Sequence, residues 1–286
     1  MSIQRPTLGH GIGLRQKHFD DFLAGRPAVG WVEAVSENFM TKGGRPLDVL
    51  MRIRRDMPVA LHGVSLSIGG SDPLDAEYLR KLRALVDRTQ PELVTDHLCW
   101  GSHGGQYVHD LWPLPCTEES LRHVVGRVQQ VQETLGRQIA LENVSSYVEF
   151  EASSMPEWEF LTAVAEQADC GILLDVNNVY VSAQNHGFSA ETYLAAIPPE
   201  RVVQLHLAGF SDHGTHLLDT HDAPVWDPVW DLYRKALLHL GAVPTLVEWD
   251  DRIPELPLLL EECAKAAAIE HQVLYASESA RERRLG

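Results

Sequence analysis

The sequence predicts an α/β fold, a single (β/α)8 TIM barrel. Eight short runs rich in Val, Ile and Leu alternate with longer amphipathic stretches along the 286 residues, a pattern typical of βα units around a parallel sheet. The runs are almost wholly apolar, as expected for strands that are buried on both faces. A chain of this length is ordinary for one barrel domain. The predicted strands are 8–14, 29–35, 58–62, 93–97, 139–142, 172–175, 202–207 and 244–248.

Amphipathic segments between these strands predict the helices. Thr117, followed by Glu118 and Glu119, is a favourable N-terminus for a helix that continues to about residue 135. A second apolar face runs over residues 78–86 and stops before Pro91. Further helices are predicted at 158–168, 229–240 and 256–268. The barrel is expected to occupy residues 1–275, with its functional site at the carboxyl ends of the strands, and residues 276–286 are expected to form a polar, frayed tail.

An open, doubly wound sheet is the alternative arrangement of the same alternating elements. Such a sheet often carries a Gly-x-Gly-x-x-Gly turn after its first strand, and this chain has none there. The absence favours the closed barrel.

Composition excludes some classes of function. The chain carries 24 basic and 40 acidic residues, a formal net charge of −16, which is the opposite of what phosphate contacts require, so nucleic acid is not an expected partner. The first residues lack the pattern of a signal peptide, and no apolar stretch approaches the roughly 18 residues of a membrane span. The four cysteines lie far apart without a CxxC pair. We therefore expect reduced thiols and a cytoplasmic protein.

Ionisable residues end six consecutive predicted strands. They are His62, Asp96 with His97, Glu142 followed by Asn143, Asp175, His206 and Glu248. Barrel active sites lie at this carboxyl face, and burying so many ionisable groups is costly unless they are paired or bound to metal. One such histidine is usually a core or rim residue, and one such carboxylate usually caps the next helix. Six in succession favour a metal site, and imidazole with carboxylate suits Zn, Mn or non-haem Fe.

A second polar cluster follows the seventh strand. Asp219 and His221 form an Asp-x-His step that could present both side chains to one ion, with His213 and His216 as nearby competitors. Polar loops often carry such residues without any metal, so the loop by itself leaves the question open. Asp96 and Asn143, beside the predicted ligands, could orient them or could simply cap strand ends.

The order of these residues resembles that of known metalloenzymes. It matches the ligands of the trinuclear zinc site of endonuclease IV, which shares a barrel superfamily with xylose isomerase. The chain resembles more closely the multinuclear non-haem iron-dependent oxidative enzymes, the MbnB/TglH-like family, from about residue 9 to 271. The strings that carry this resemblance are LHGVSLSIGG, TDHLCW, HDLWPLP, ALENVSSY, LLDVNNVYVSAQNHG, QLHLAGF and DTHDAPV.

The resemblance implies a ligand set, position by position. His62, His97 and Glu142 would hold one iron. Glu142 would bridge to a second iron held by Asp175, His206 and Glu248. Asn178, Asp219 and His221 would form the third site. Asn178 stands where the nuclease has histidine, and because an amide oxygen is a weaker ligand, the third site is expected to be labile. Glu142, Asp175 and His206 are the residues expected to be catalytic.

The resemblance also implies the activity: oxidative modification of a ribosomally synthesised peptide, at a cysteine, with two to three Fe ions in a mixed Fe(II)/Fe(III) state and O2 as co-substrate. The expected partners are the precursor peptide and a separate leader-binding protein similar to MbnC. Two other activities use similar sites, namely zinc-dependent phosphodiester cleavage of the endonuclease IV type and divalent-metal sugar isomerisation. A non-catalytic metal-binding protein is the remaining alternative.

Overall fold

Eight parallel strands close into a barrel in the computed structural model, which describes residues 4–285. The strands in chain order are β1 His10–Gly13, β2 Trp31–Val35, β3 Val59–Gly63, β4 Val94–His97, β5 Trp100–His103, β6 Gln106–Trp112, β7 Ala140–Glu142, β8 Gly171–Asp175, β9 Val202–Leu207, β10 Ser211–Asp212, β11 Leu217–Leu218 and β12 Thr245–Val247. The barrel order is β1-β12-β9-β8-β7-β4-β3-β2, and pairing of β1 with β12 closes it. All eight predicted strands are confirmed, and closure excludes the open sheet.

Helices surround the barrel, and five of them lie at the predicted places. They are α1 Phe19–Ala24, α2 Arg45–Asp56, α3 Ala76–Thr89, α4 Glu118–Leu135, α5 Glu157–Gln167, α6 Val176–His186, α7 Ala190–Ala196, α8 Asp227–Leu240 and α9 Leu256–Leu285. The hydroxyl of Thr117 caps α4 by accepting from the Ser120 N–H, as its position predicts. Gln90, in the left-handed conformation, ends α3 just before Pro91.

Helix α9 is longer than the sequence analysis predicted. It continues to Leu285, beyond the predicted end at residue 268 and through residues 276–285, and the frayed tail at 276–286 stays a prediction. This segment is rich in Ala, Glu and Arg, which have high helix propensity, so its polar character does not break the helix. The limits of the barrel domain, residues 1–275, stay a prediction.

Two short hairpins outside the barrel were not predicted. β5 and β6 pair antiparallel after β4, and β10 and β11 pair antiparallel after β9. Both follow the carboxyl ends of barrel strands, so they lie on the side of the barrel where the ionisable residues are. The four cysteines are buried and carry free thiols, as predicted.

The interior of the barrel has two layers that follow from the period of a strand. An apolar cluster is formed by Trp31, Ala60, Leu93, Ala140, Val203 and Leu246. Because alternate residues of a strand share a face, the residue two positions after an inward apolar side chain also faces inward. Ala60 thus precedes His62, Ala140 precedes Glu142, and Leu246 precedes Glu248. The apolar layer fills one end of the barrel, and the ionisable layer lies at the other.

Candidate metal centre

Three groups of side chains at the carboxyl ends of the strands could hold metal ions. In each group the potential ligand atoms all lie within 4.8 Å of one another. The first group is His62, His97 and Glu142, the second is Glu142, Asp175, His206 and Glu248, and the third is His221, Glu248 and Asp250. Every member is buried except Asp250. The structure therefore brings together the two predicted sets that share Glu142.

Neutral acceptors orient the two histidines of the first group. Nδ1 of His62 lies 2.7 Å from the hydroxyl of Thr95, and Nδ1 of His97 lies 3.0 Å from the carbonyl oxygen of Gly63. Nε2 of each ring is left to face Oε2 of Glu142, at 3.4 Å in both cases. Such contacts fix the ring and the tautomer of metal-binding histidines. His62 and His97 are therefore arranged to bind an ion through Nε2.

Glu142 connects the first group to the second. Its Oε1 lies 3.7 Å from Nδ1 of His206, whereas its Oε2 faces His62 and His97. Nδ1 of His206 is also 2.9 Å from Oε2 of Glu248. A carboxylate with one oxygen toward each group is in the position of a bridging ligand between two ions.

Asp175 has two roles in the local structure, one for each oxygen. Oδ1 caps helix α6 by accepting from the backbone N–H of Asn178 at 2.6 Å. Oδ2 is buried and has no hydrogen-bond partner. Asn143 holds the backbone of Asp175 by donating to its carbonyl at 3.0 Å and accepting from its N–H at 2.8 Å. The capping and the metal-binding interpretations of Asp175 are thus compatible.

Several potential ligand atoms are buried without a hydrogen bond, and this is the feature that fits a metal. They are Glu142 Oε2, Asp175 Oδ2 and Asn178 Oδ1. A buried polar atom without a partner costs about 1–3 kcal/mol. Three such atoms in one layer are difficult to explain by packing alone. Oxygen and imidazole nitrogen are donors that Fe, Mn or Zn accept, so the residues present fit such ions.

The pKa values of the chain alone reflect how unfavourable this cluster is without cations. Burial raises the pKa of Glu142 well above its usual range and that of Asp175 to about 7. Burial, together with the neighbouring His97, lowers the pKa of His62 well below its usual range. For His206, burial acts downward, but the carboxylates of Glu33, Glu248 and Glu142 raise the pKa well above its usual value. Protons on the acids would compete with an ion for the same atoms.

The third predicted site is reproduced in part. Nε2 of His221 lies 2.6 Å from Oδ1 of Asp219, so the Asp-x-His step does bring these side chains together. Asp250, which the sequence analysis did not name, lies 2.9 Å from Nδ1 of His221. Asn178 donates to the carbonyl of Asn143 at 3.0 Å and lies 3.4 Å from Oε1 of Glu142. Its free Oδ1 is available, and its role as a ligand stays a prediction.

The competing histidines of this loop lie elsewhere. His213 and His216 stack on each other in the β10–β11 hairpin, with ring centroids 5.2 Å apart. Neither belongs to any of the three ligand groups found among residues 4–285.

Two further side chains of the site escaped the sequence analysis. Glu33 on β2 is 4% exposed, and its Oε1 lies 3.1 Å from Nε2 of His206. The signal was a lone charged residue inside the apolar run WVEAV of a strand buried on both faces. Asp250 follows Glu248 by two residues, and that spacing was its only signal.

Asp96 and Asn143 lie beside the predicted ligands in the sequence and have different partners. Asn143 orients Asp175, whereas Asp96 accepts from the backbone N–H of His97 at 2.8 Å.

A cavity of about 880 Å³ opens beside the ends of β3 and β4. The residues that follow β3, the 3₁₀ turn Ser36–Phe39 and the β5–β6 hairpin form its wall, including Val64, Ser65, Tyr107, Val108 and Asp110. Tyr107 and Val108 are 53% and 40% exposed, which leaves apolar surface at the entrance. The cavity is large enough to receive part of a ligand, and its wall includes Val64, two residues after His62.

Comparison with known sequences gives a match along most of the chain. The family described as "RiPP precursor modification enzyme MbnB/TglH/ChrH" matches residues 9–271. A UPF0276 protein of Anaeromyxobacter sp. (strain Fw109-5) is 61% identical over 276 residues, which cover 96% of this chain and 98% of that protein. A UPF0276 protein of Caulobacter vibrioides (strain NA1000 / CB15N) is 49% identical over 269 residues, 94% of this chain and 96% of its own length.

Solved structures share the fold at low sequence identity. An L-ribulose 3-epimerase has a TM-score of 0.64 at 17% identity and covers 98% of this chain and 99% of its own. D-psicose 3-epimerase from Clostridium cellulolyticum H10, solved with D-tagatose, has a TM-score of 0.61 at 13% identity, covering 93% and 99%. The IOLI protein, solved with a binding zinc atom, has a TM-score of 0.59 at 14% identity, covering 93% and 98%. At these identities the likeness shows the fold alone, a TIM barrel. Within the described residues, no helix is both long and apolar enough to cross a membrane.

Proposed function

Because the chain belongs to the MbnB/TglH/ChrH family of RiPP precursor modification enzymes, we propose that it is a multinuclear non-haem iron oxidoreductase that uses O2 to modify a ribosomally synthesised peptide. The proposed target is a cysteine of that peptide. The observation that carries the proposal is the position of Glu142, whose two oxygens face two different groups of ligands. Such a carboxylate is suited to a pair of ions that act together.

The charges of the first and second groups are compatible with an iron pair in two oxidation states. Glu142, Asp175 and Glu248 supply three negative charges, against five positive charges of an Fe(II)/Fe(III) pair. The remaining positive charge would favour a substrate thiolate, since a cation stabilises the deprotonated thiol. When bound, such a pair would supply the one-electron chemistry with O2 that protein side chains lack.

The chain's own residues would hold and orient these ions. His62 and His97 present Nε2 because Thr95 and Gly63 engage their other nitrogens. Asp175 keeps its free oxygen in place through the N-terminus of α6. Glu142, Asp175 and His206 are therefore proposed as the residues on which the reaction depends. Asn178, Asp219, His221 and the newly found Asp250 would serve a third, weaker ion.

The peptide substrate is proposed to enter by the cavity beside β3 and β4. Its volume of about 880 Å³ accommodates a side chain with adjoining backbone, but it does not provide a long binding surface. A separate leader-binding protein similar to MbnC is proposed to supply the rest of the recognition. The setting would be the cytoplasm, where the four free thiols stay reduced.

The test compares the metal ions that the chain can be loaded with and measures the mass of a candidate peptide after each reaction. The chain is loaded separately with iron, zinc or manganese and incubated with O2, its candidate partner protein and the peptide. We expect the mass of the peptide to change only when the chain is loaded with iron. The Glu142→Gln variant should leave the mass unchanged with every metal. Activity on abasic DNA with zinc would support the phosphodiesterase instead, and sugar isomerisation with manganese or magnesium would support the isomerase.

A further inference from the structure

Glu33 lies in the ionisable layer of the barrel but belongs to none of the three ligand groups. It is 4% exposed, and its Oε1 lies 3.1 Å from Nε2 of His206. Its Oε2 accepts from the side-chain amide of Gln204 at 2.6 Å. Burying a carboxylate is energetically costly unless it is paired. Its position beside Nε2 of a predicted metal ligand therefore indicates a role for Glu33.

The two nitrogens of His206 face different partners. Nδ1 faces the ligand carboxylates, 2.9 Å from Oε2 of Glu248 and 3.7 Å from Oε1 of Glu142. Nε2 faces Glu33. His62 and His97 are arranged in the opposite sense: their Nδ1 atoms meet a hydroxyl and a carbonyl oxygen, and their Nε2 atoms face Glu142. Of these three histidines, only His206 has a carboxylate beside the nitrogen that points away from the predicted metal ligands.

We propose that Glu33 is a positioning residue that makes Nδ1 of His206 the metal-binding nitrogen. The carboxylate accepts the Nε2 proton, which fixes the tautomer and the ring orientation and strengthens Nδ1 as a donor to the second ion. Gln204 holds Oε2 of Glu33 and so keeps Oε1 directed at the ring. The inference rests on the metal centre of the proposed function and adds the residue that selects the binding mode of His206.

The position of Gln204 defines the competing arrangement. Its amide nitrogen lies 2.7 Å from Nε2 of His206, and it could donate to an unprotonated Nε2. That would place the imidazole proton on Nδ1, the nitrogen that faces Glu142 and Glu248. A metal ion bound at Nδ1 is incompatible with a proton there. An amide nitrogen cannot accept the Nε2 proton, so the carboxylate of Glu33 is its acceptor when an ion is bound.

Two variants of Glu33 and one matched variant test the proposal with metal alone. The metal-free full-length chain is titrated with Co²⁺ against a competing chelator, and the zinc-loaded, ¹⁵N-histidine-labelled chain is examined by NMR for the nitrogen that carries the proton. Glu33→Gln keeps the shape and an acceptor oxygen, Glu33→Ala removes both, and Thr95→Val removes the corresponding acceptor behind His62.

We expect the affinity for the second ion to fall 10–100-fold in Glu33→Ala and less in Glu33→Gln, in the range typical of such outer partners. Thr95→Val should weaken the first ion instead. The His206 signals should show a metal on Nδ1 and a proton on Nε2 in the wild type, and lose that single pattern in Glu33→Ala. If Glu33→Ala does not fold, Glu33→Gln carries the test.

Two outcomes separate this inference from the proposed function. A wild type that binds fewer than two ions removes the metal centre and the role of Glu33 together. A wild type that binds two ions, with unchanged affinity and unchanged His206 signals in both Glu33 variants, overturns the role of Glu33 and leaves the proposed function intact.

Discussion

Oε2 of Glu142 lies 3.4 Å from Nε2 of His62, in the inward layer of two barrel strands separated by β4. The same carboxylate reaches His206 on the other side, where Oε1 lies 3.7 Å from Nδ1. The chain thus supplies one acidic group to two sets of ligands. Any two metal ions bound together in this centre would both depend on that single side chain.

Glu142→Gln is expected to reduce metal content and activity far more than Asn178→Ala. The amide nitrogen of Gln cannot act as the second ligand oxygen, so the variant should lose at least one of the two bridged ions. Asn178 is predicted to serve only the third, weaker ion, so its loss should leave two ions in place. Elemental analysis and turnover measure both effects, and wild-type turnover in Glu142→Gln would remove the bridging role.

Protein purified from iron-replete cells is expected to contain two to three irons per chain and to absorb visible light. The buried oxygens of Glu142 and Asp175 that have no hydrogen-bond partner motivate this prediction. Elemental analysis and an absorption spectrum test it. Stoichiometric zinc without iron-dependent activity would contradict the oxidase proposal.

The same preparation should lose thermal stability when a chelator removes its ions. A ligand at 100 times its Kd stabilises the folded state by about 2.7 kcal/mol, so removal of two ions should lower Tm by several degrees. Glu142→Gln, with fewer ions to lose, provides the control and should respond less. An unchanged Tm on complete metal removal would show that the ions contribute little to folding stability.

The sequence predicts most of this centre because the alternation of side chains along a β-strand determines which residues face the interior of the barrel. Strands with inward apolar residues and an ionisable residue two positions later put His62, Glu142 and Glu248 in one layer. Glu33 obeys the same rule, but β2 continues with Ala34 and Val35, so this strand does not end at an ionisable residue as six of the other barrel strands do. Strand-end position alone could not reveal it.

The loop residues were less predictable because their partners are distant in sequence. Asp250 meets His221 only because the loop after β9 returns to the end of β12, where the backbone N–H of Asp250 donates to the carbonyl of His221. The hairpin of β5 and β6 was missed because its sequence, WGSHGGQYVHDLW, carries polar residues among few apolar ones. Its strands are exposed on much of their surface, so hydrophobic periodicity gives a weak signal there.

Glu157 is expected to make folding stability depend on pH. Burial raises its pKa from 4.5 to about 7, and Tyr193 donates a hydrogen bond to its carboxyl group at 2.7 Å. A raised pKa means that the folded chain binds this proton more tightly. The resulting stabilisation is complete below pH 4.5 and is lost as the pH rises through 7. We expect a loss of about 1–3 kcal/mol between pH 5 and 8.

Urea unfolding of the metal-free chain at pH 5 and pH 8 measures this effect. Glu157→Gln cannot lose the proton, so its free energy of unfolding should fall less over the same range than that of the wild type. Glu159→Gln, an exposed change in the same helical turn, is the matched control and should follow the wild type. Parallel pH curves for Glu157→Gln and the wild type would place the titration of Glu157 outside this range.

The isolated chain is expected to bind a cognate precursor peptide weakly and to bind it well together with its partner protein. The eight βα units, of which α9 completes the last, account for nearly the whole described chain, and no second domain follows within residues 4–285. The cavity beside β3 and β4 can hold a side chain, but the two hairpins at this end of the barrel are short and offer little extended surface for a leader segment. Calorimetry with the chain, the partner and the peptide, added in each combination, tests the prediction. A leaderless core peptide serves as the control, because it should bind equally weakly with and without the partner. Tight binding and full turnover by the isolated chain would show that the loops of the barrel suffice for recognition.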